Sequence, residues 1–267
     1  MSNITTGRGR IPGPVCQIRN WYDINDGTMA RVASPTPGAL NNVGEADDDP
    51  NQPVVLTGEQ LTMIVPTIGS RAERVANDLN TGLRDAGITN RIGQAMFIAQ
   101  LAHESAGFSR LEEMGGKTKY TNAKYKEKEA DDQVYDYFFF MYDKESPSPR
   151  RRKVAEGLGN SNKGDGALFK GRGYIQLTGR SNYRAAGGNL GLELEKNPAL
   201  AADSAVAARV AGWYWRTRKL NKYTSADSAA NFKSVTIRIN GGLNGLADRQ
   251  SYYNRAKFIL MRGEEGP

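Results

Sequence analysis

The sequence has a single cysteine, Cys16, and a single histidine, His103. One cysteine excludes an intramolecular disulfide, so the fold has to be stable without a covalent staple, as suits a chain that folds in a reducing compartment. The same scarcity excludes a zinc site built from clustered Cys and His, and no cofactor is expected. Long apolar runs are missing as well. No stretch approaches the roughly 18 residues that span a bilayer, and the opening "MSNITTGRGRIPGPVCQ" lacks the apolar core of a signal peptide. The expectation is a protein made in the cytoplasm without a signal peptide and not inserted in a membrane.

What is present suits a globular protein. Charged residues make up 24% and hydrophobic ones 39% of 267 residues, enough for one large domain or a domain with a small module. Lys+Arg 36 against Asp+Glu 29 gives a net charge of +7, which points to an anionic partner surface. Nucleic acid, acidic headgroups and bacterial envelope polymers share that sign. The basic residues are scattered, however, and no nucleic-acid recognition motif appears. The densest basic run, "RRRK" at 150–153, reads first as a solvated helix face.

Residues 1–55 carry most of the early Gly and Pro and the acidic "EADDDPNQP". They read as an N-terminal arm or module ending in a linker near Asp47 to Pro53, with "VCQIRNWY" as a candidate strand and a disordered tail as the alternative. From Thr57 the punctuation is helical. "TGEQ" offers a capping box at Thr57 and "SRAE" another at Ser70. The helix after Ser70 has Val75, Leu79 and Leu83 on one face and stops at Gly87; "NRIGQAMFIAQLAHE" is apolar nearly all round and reads as a buried central helix. Further helices are expected at Asp203 to Arg218, about Ser228 to Ile239, and about Leu246 to Met261. Few segments alternate with period two. The fold class is therefore mainly α over 56–267.

The central helix runs into "AQLAHESAGFSRLEEM", residues 99–114. Phe97, Gln100 and Leu101 lie seven, four and three positions before Glu104, on the same helix face. A carboxyl held there is partly desolvated, which penalises its charged form, as a general acid requires. Past Gly107 the chain can turn back to present Glu113. One carboxylic acid and one carboxylate are the requirement of glycoside hydrolysis. Glu112 remains a rival for the second position. A second stretch, "GDGALFKGRGYIQLTGRSNY" at 164–183, sets glycines among Arg172, Tyr174, Gln176 and Thr178. Such residues suit sugar hydroxyls and a bound water, and the spacing is not that of a phosphate loop. A third, "IRINGGLNGLADR" at 237–249, adds Asn240, Asp248 and Arg249.

These three stretches, in this order, resemble glycoside hydrolase family 19, which groups chitinases with phage endolysins of lysozyme-like fold. The resemblance runs over about residues 57–262. It is nearer the endolysin branch, because Glu113 follows Glu104 closely and no disulfide is possible. Two departures stand out: Asn244 replaces an acidic residue of the chitinase members, and "MGGKTKY" follows Glu113. The resemblance implies Glu104 as general acid, Glu113 as the second carboxylate and Thr178 as the hydroxyl that holds the attacking water. It implies Gln176, Asn182 and Asn240 along the sugar groove and Arg249 at the acid; Tyr174 is counted with the groove for its hydroxyl. His103 is either a groove residue or structural. Two carboxyls about 6.5–9.5 Å apart would give inversion. The function implied is cleavage of the β-1,4 bonds of peptidoglycan. The rivals are a chitinase, or an idle sugar-binding or virion structural protein. Residues 1–55 are left as the candidate contact for a virion or delivery partner.

Overall fold

A computed structural model describes residues 52–261. The candidate strand "VCQIRNWY", Cys16 and most of the N-terminal arm lie outside the described residues. The described chain starts against the helical body. Arg91 Nε donates to the Gln52 carbonyl (2.9 Å), the Val54 backbone pairs twice with the Gln94 amide (3.1 and 2.7 Å), and Leu56 pairs likewise with Asn80 (2.9 and 2.9 Å). The boundary drawn from sequence at 55/56 thus falls inside a segment already bonded to that body.

Helix α1 (Gly58–Ile64) begins with the expected box: Thr57 accepts from the Gln60 N–H, and the Gln60 side chain accepts from Thr57. The second expected box is not made. Residues Pro66–Arg71 form a 3-10 turn, α2 (Ala72–Ala86) starts after it, and Arg71 at its N-cap makes no side-chain cap. Glu73, instead of reaching back to Ser70, accepts the Gly58 N–H at 3.0 Å and so ties α2 to α1. α2 ends at a left-handed Gly87, as its sequence requires.

Helix α3 (Arg91–Glu104) is buried almost throughout. Its polar residues are tolerable there because each has a partner: Arg91 and Gln94 hold residues 52–54, while Gln100 and Glu104 meet Arg249. A smaller lobe follows, with β1 (Lys117–Lys119), α4 (Asn122–Tyr125), β2 (Val134–Asp136) and α5 (Tyr137–Tyr142). β1 and β2 are antiparallel, with Thr118 opposite Tyr135. Helices α6 (Pro149–Gly157), α7 (Asp165–Leu168) and α8 (Arg180–Leu190) lead back to the main body. "RRRK" lies on α6, where Arg150, Arg152 and Lys153 are exposed. α9 (Ser204–Thr217), α10 (Ala229–Asn240) and α11 (Leu246–Met261) match the expected helices, with Asp203 and Ser228 as N-caps.

Two packed pairs hold the core, α2 on α9 and α3 on α11. The first is a close crossing made possible by facing glycines. A methyl on Gly82 would stand 2.5 Å from the Ala208 carbonyl oxygen, and one on Gly212 would stand 2.3 Å from that of Gly82. The second pair brings Arg249 to Glu104.

Candidate active site

The α3 helix ends at Glu104, and the next residues reverse the chain sharply. Ala106, Gly107 and Phe108 all have left-handed backbone, an unusual run for non-glycine residues. Ser105 holds it: its Oγ donates to the Leu101 carbonyl (2.6 Å) and accepts the Phe108 N–H (3.0 Å). The reversed chain then pairs with the glycine-rich stretch. Gly173 N–H donates to Leu111 O (2.8 Å), Glu113 N–H donates to Gly171 O (2.8 Å), and Arg172 also pairs with Leu177. These isolated bridges hold Glu112 and Glu113 against residues 171–173 and send their side chains to different partners.

The two glutamates consequently meet different surroundings. Glu112 takes Lys170 Nζ (3.0 Å) and Arg172 Nε (2.9 Å). Burial pushes its carboxyl up, but the hydrogen bonds and charges of Lys170 and Arg172 outweigh this and hold it below its ordinary value. Glu113 accepts at both oxygens. Tyr137 (3.2 Å) and Tyr142 (2.9 Å) donate to Oε1, and the Gly171 N–H (3.1 Å) donates to Oε2. Burial first, and the Glu113 carboxylate second, push both phenols up, so they stay protonated and act as donors.

Gln176 joins this group. Its Nε2 donates to the Gly173 carbonyl (3.0 Å), which turns Oε1 towards Gly171 and Glu113. A methyl on Gly171 would lie 2.8 Å from Gln176 Oε1 and 3.1 Å from Glu113 Oε2, so a larger residue there would displace both side chains. The Thr178 hydroxyl donates to the Gln176 carbonyl (2.8 Å), leaving its oxygen as an acceptor. Asn182 donates to the Thr178 carbonyl (2.7 Å) and so fixes the backbone that carries this hydroxyl.

Glu104 is sealed: both it and Arg249 are 0% exposed, and Arg249 Nη2 donates to Glu104 Oε1. The other oxygen, Oε2, is buried with no protein hydrogen-bond partner. Arg249 is held by the Gln100 Oε1 (2.6 Å) and by the Asn244 carbonyl (3.3 Å), which also accepts from Asn240 (3.2 Å). On the neighbouring rung between α3 and α11, His103 Nδ1 meets Asp248 Oδ2 at 2.6 Å. Gly245 packs against the His103 ring so closely that a methyl there would overlap it (2.2 Å).

Of the residues singled out from sequence, Glu113, Gln176, Thr178 and Asn182 come together around these bridges, and Glu104, Arg249 and Asn240 at the α3–α11 end. Tyr174 is placed elsewhere. It is 1% exposed, packs edge-on against Phe108, and its hydroxyl joins Ser204 (2.7 Å), so it serves the core and not the groove. Asn240 is also fully buried and holds the turn at Asn244. Tyr137, Tyr142 and Gly171 were not singled out as site residues; α5 lies in a separate lobe and its sequence reads simply as apolar. Among the described residues no group of three or more His, Cys, Asp or Glu is placed to hold a metal ion, and no helix is long and apolar enough to cross a membrane.

Residues 80–236, more than half of the chain, match the family described as class I chitinase. A Haemophilus influenzae protein named as a glycosyl hydrolase family 19 domain-containing protein is 34% identical over 182 residues, covering 66% of this chain and 84% of its own length. The chain belongs to glycoside hydrolase family 19. As a family 19 member it is a glycosidase. Chitinase 8 of Oryza sativa subsp. japonica is 38% identical over 126 residues, 38% of this chain and 48% of that one, so the match spans about half of the plant protein. Chitinase C from Streptomyces griseus superposes with a TM-score of 0.50 at 22% identity, over 79% of this chain and 94% of its own, a likeness of fold. The family 19 architecture agrees with the mainly α, lysozyme-like fold expected from the sequence.

Proposed function

We propose that the protein is a peptidoglycan hydrolase of the endolysin type, cleaving the β-1,4 link between N-acetylmuramic acid and N-acetylglucosamine with inversion. The observation that carries the mechanism is the contrast between the two carboxyls. Glu104 is sealed with one oxygen on a guanidinium and the other unpartnered, whereas Glu113 is partly exposed and surrounded by donors. Glu104 is the acid: ion-paired with Arg249 in the free protein, it takes up a proton on Oε2 when a glycan is bound and passes it to the glycosidic oxygen. Arg249 then meets the negative charge that Glu104 acquires, a stabilisation that grows as the bond breaks. A water that donates to Thr178 Oγ1 and to Glu113 attacks the anomeric carbon from the opposite face, and Glu113 takes its proton.

The charge of +7 supports a wall polymer that is anionic, and the close spacing of Glu104 and Glu113 supports the endolysin reading. The substrate is then met in the bacterial cell wall. Residues 1–55 are assigned to delivery, through a virion or another partner. Chitin is the second reading, favoured by the chitinase names of the rice and Streptomyces relatives. Rates on purified murein and on chitin oligomers, followed by mass spectrometry of the products, separate the two. Faster turnover of murein is expected; cleavage of chitin alone would favour the second reading.

Glu113→Gln is expected to lose about 10²–10⁴-fold in rate, since the amide cannot take the proton of water and sets a donor against Tyr137 and Tyr142 or against Gly171. Glu112→Gln disturbs only the pairs with Lys170 and Arg172 and keeps most activity. Initial rates on soluble murein fragments check this, and the reverse pattern would give Glu112 the role of base. Thr178 offers a graded comparison. Thr178→Ser keeps the acceptor oxygen and substantial activity, while Thr178→Val, of similar size, loses most of it. Equal rates for the two variants would remove the hydroxyl from the mechanism.

A further inference from the structure

The Arg249 guanidinium could present its donors in more than one way, and α10 decides which of them faces Glu104. Thr236 is fully buried, and its hydroxyl donates to the Phe232 carbonyl one turn back at 3.0 Å. With that proton committed, Thr236 Oγ1 acts as acceptor, and Gln100 Nε2 donates to it at 3.0 Å. This fixes the sense of the Gln100 amide, because a flipped amide would set two acceptors face to face. Gln100 Oε1 therefore points at Arg249 and takes Nη1 at 2.6 Å, leaving Nη2 for Glu104. Gln100, Glu104, Thr236 and Arg249 are all 0% exposed, so a broken link in this series has no solvent to fall back on.

We infer that Gln100 and Thr236 are positioning residues for the acid: together they orient the guanidinium of Arg249 so that it holds Glu104 Oε1 and leaves Oε2 without a hydrogen-bond partner. The inference rests on Glu104 being the acid. The choice of a neutral amide at 100 has a physical reason. It accepts from Arg249 without claiming a share of its charge, so the guanidinium faces one carboxylate and not two. From α9, Tyr214 is fully buried and its phenol is pushed up to about 12, by burial foremost, so it is neutral over the working range. On the neighbouring rung, His103 and Asp248 are paired with each other.

The test measures kcat, KM and the melting temperature for Gln100→Leu, Gln100→Glu, Thr236→Val and Thr236→Ser, beside Glu104→Gln. Gln100→Leu and Thr236→Val should each lower kcat by about 10- to 100-fold, as expected for a misplaced catalytic group. KM should change by no more than about two-fold, because the acid and not the groove is disturbed. Thr236→Ser should recover most of the loss. Gln100→Glu should also lower kcat by about 10-fold or more with KM little changed, because a second carboxylate on the same guanidinium draws its donors away from Glu104. Should Gln100→Leu fail to fold, Thr236→Val and Gln100→Glu decide. The inference is overturned if these variants keep the native kcat, or if their losses follow melting temperature alone. It also falls if Glu104→Gln stays active, but that result strikes the acid assignment itself and is recognisable as such.

Discussion

Glutamine at position 104 is expected to reduce glycan cleavage by about 10²–10⁴-fold or more, because the amide has no acidic proton for the leaving oxygen. The variant should still fold. Its carbonyl oxygen can accept from Arg249 in place of Glu104 Oε1, so the buried guanidinium keeps a partner although the pair loses a charge. Binding should suffer less than turnover, since proton transfer is an interaction of the transition state. Steady-state rates on soluble murein fragments, with circular dichroism to confirm the fold, make the check. A variant that clears murein at near the native rate refutes the acid role.

Arg249→Met is expected to have the largest effect on stability. It leaves Glu104, at 0% exposure, without its counter-charge, and leaves Gln100 Oε1 without its donor. Breaking a buried ion pair from one side costs about 3–5 kcal/mol. For a domain of this size each kcal/mol lowers Tm by about 2–4 °C, so a fall of roughly 6–20 °C follows. The cost arises from the stranded charge and not from lost packing. Adding Glu104→Gln to Arg249→Met should therefore restore part of the lost Tm. Thermal melting of the three variants tests this. If Arg249→Met melts within a degree or two of the native protein, or if the double variant is the least stable, the buried-pair account is wrong.

Much of the fold is legible in local chemistry. Thr57, Asp203 and Ser228 cap the helices they precede, Gly87 ends α2, and the all-round apolarity of α3 marks its burial. Ser70 shows the limit of that chemistry. A capping motif competes with tertiary partners, and here Glu73 is drawn to Gly58. The grouping at Glu104 is equally legible, because Gln100 and Glu104 share a helix face and both meet Arg249. The grouping at Glu113 is only half so. Glu113 and Glu112 are adjacent in sequence, and only their pairing with Gly171 and Arg172 sends them to different partners. Tyr137 and Tyr142 reach Glu113 from a different lobe, through contacts that no local pattern encodes. Tyr174 misleads for a related reason: in a glycine-rich stretch its hydroxyl suggests a ligand, but a buried tyrosine also needs a partner, and Ser204 provides one.

The most direct measurement is the identity of the new reducing end. Purified peptidoglycan is digested with the native protein, the products are reduced with borohydride, and the reduced sugar is identified by mass spectrometry. Cleavage of the link between N-acetylmuramic acid and N-acetylglucosamine predicts reduced muramic acid as the new end, and none of it after treatment with the Glu104→Gln variant. Reduced glucosamine as the new end, or equal release by native protein and variant, would contradict the account.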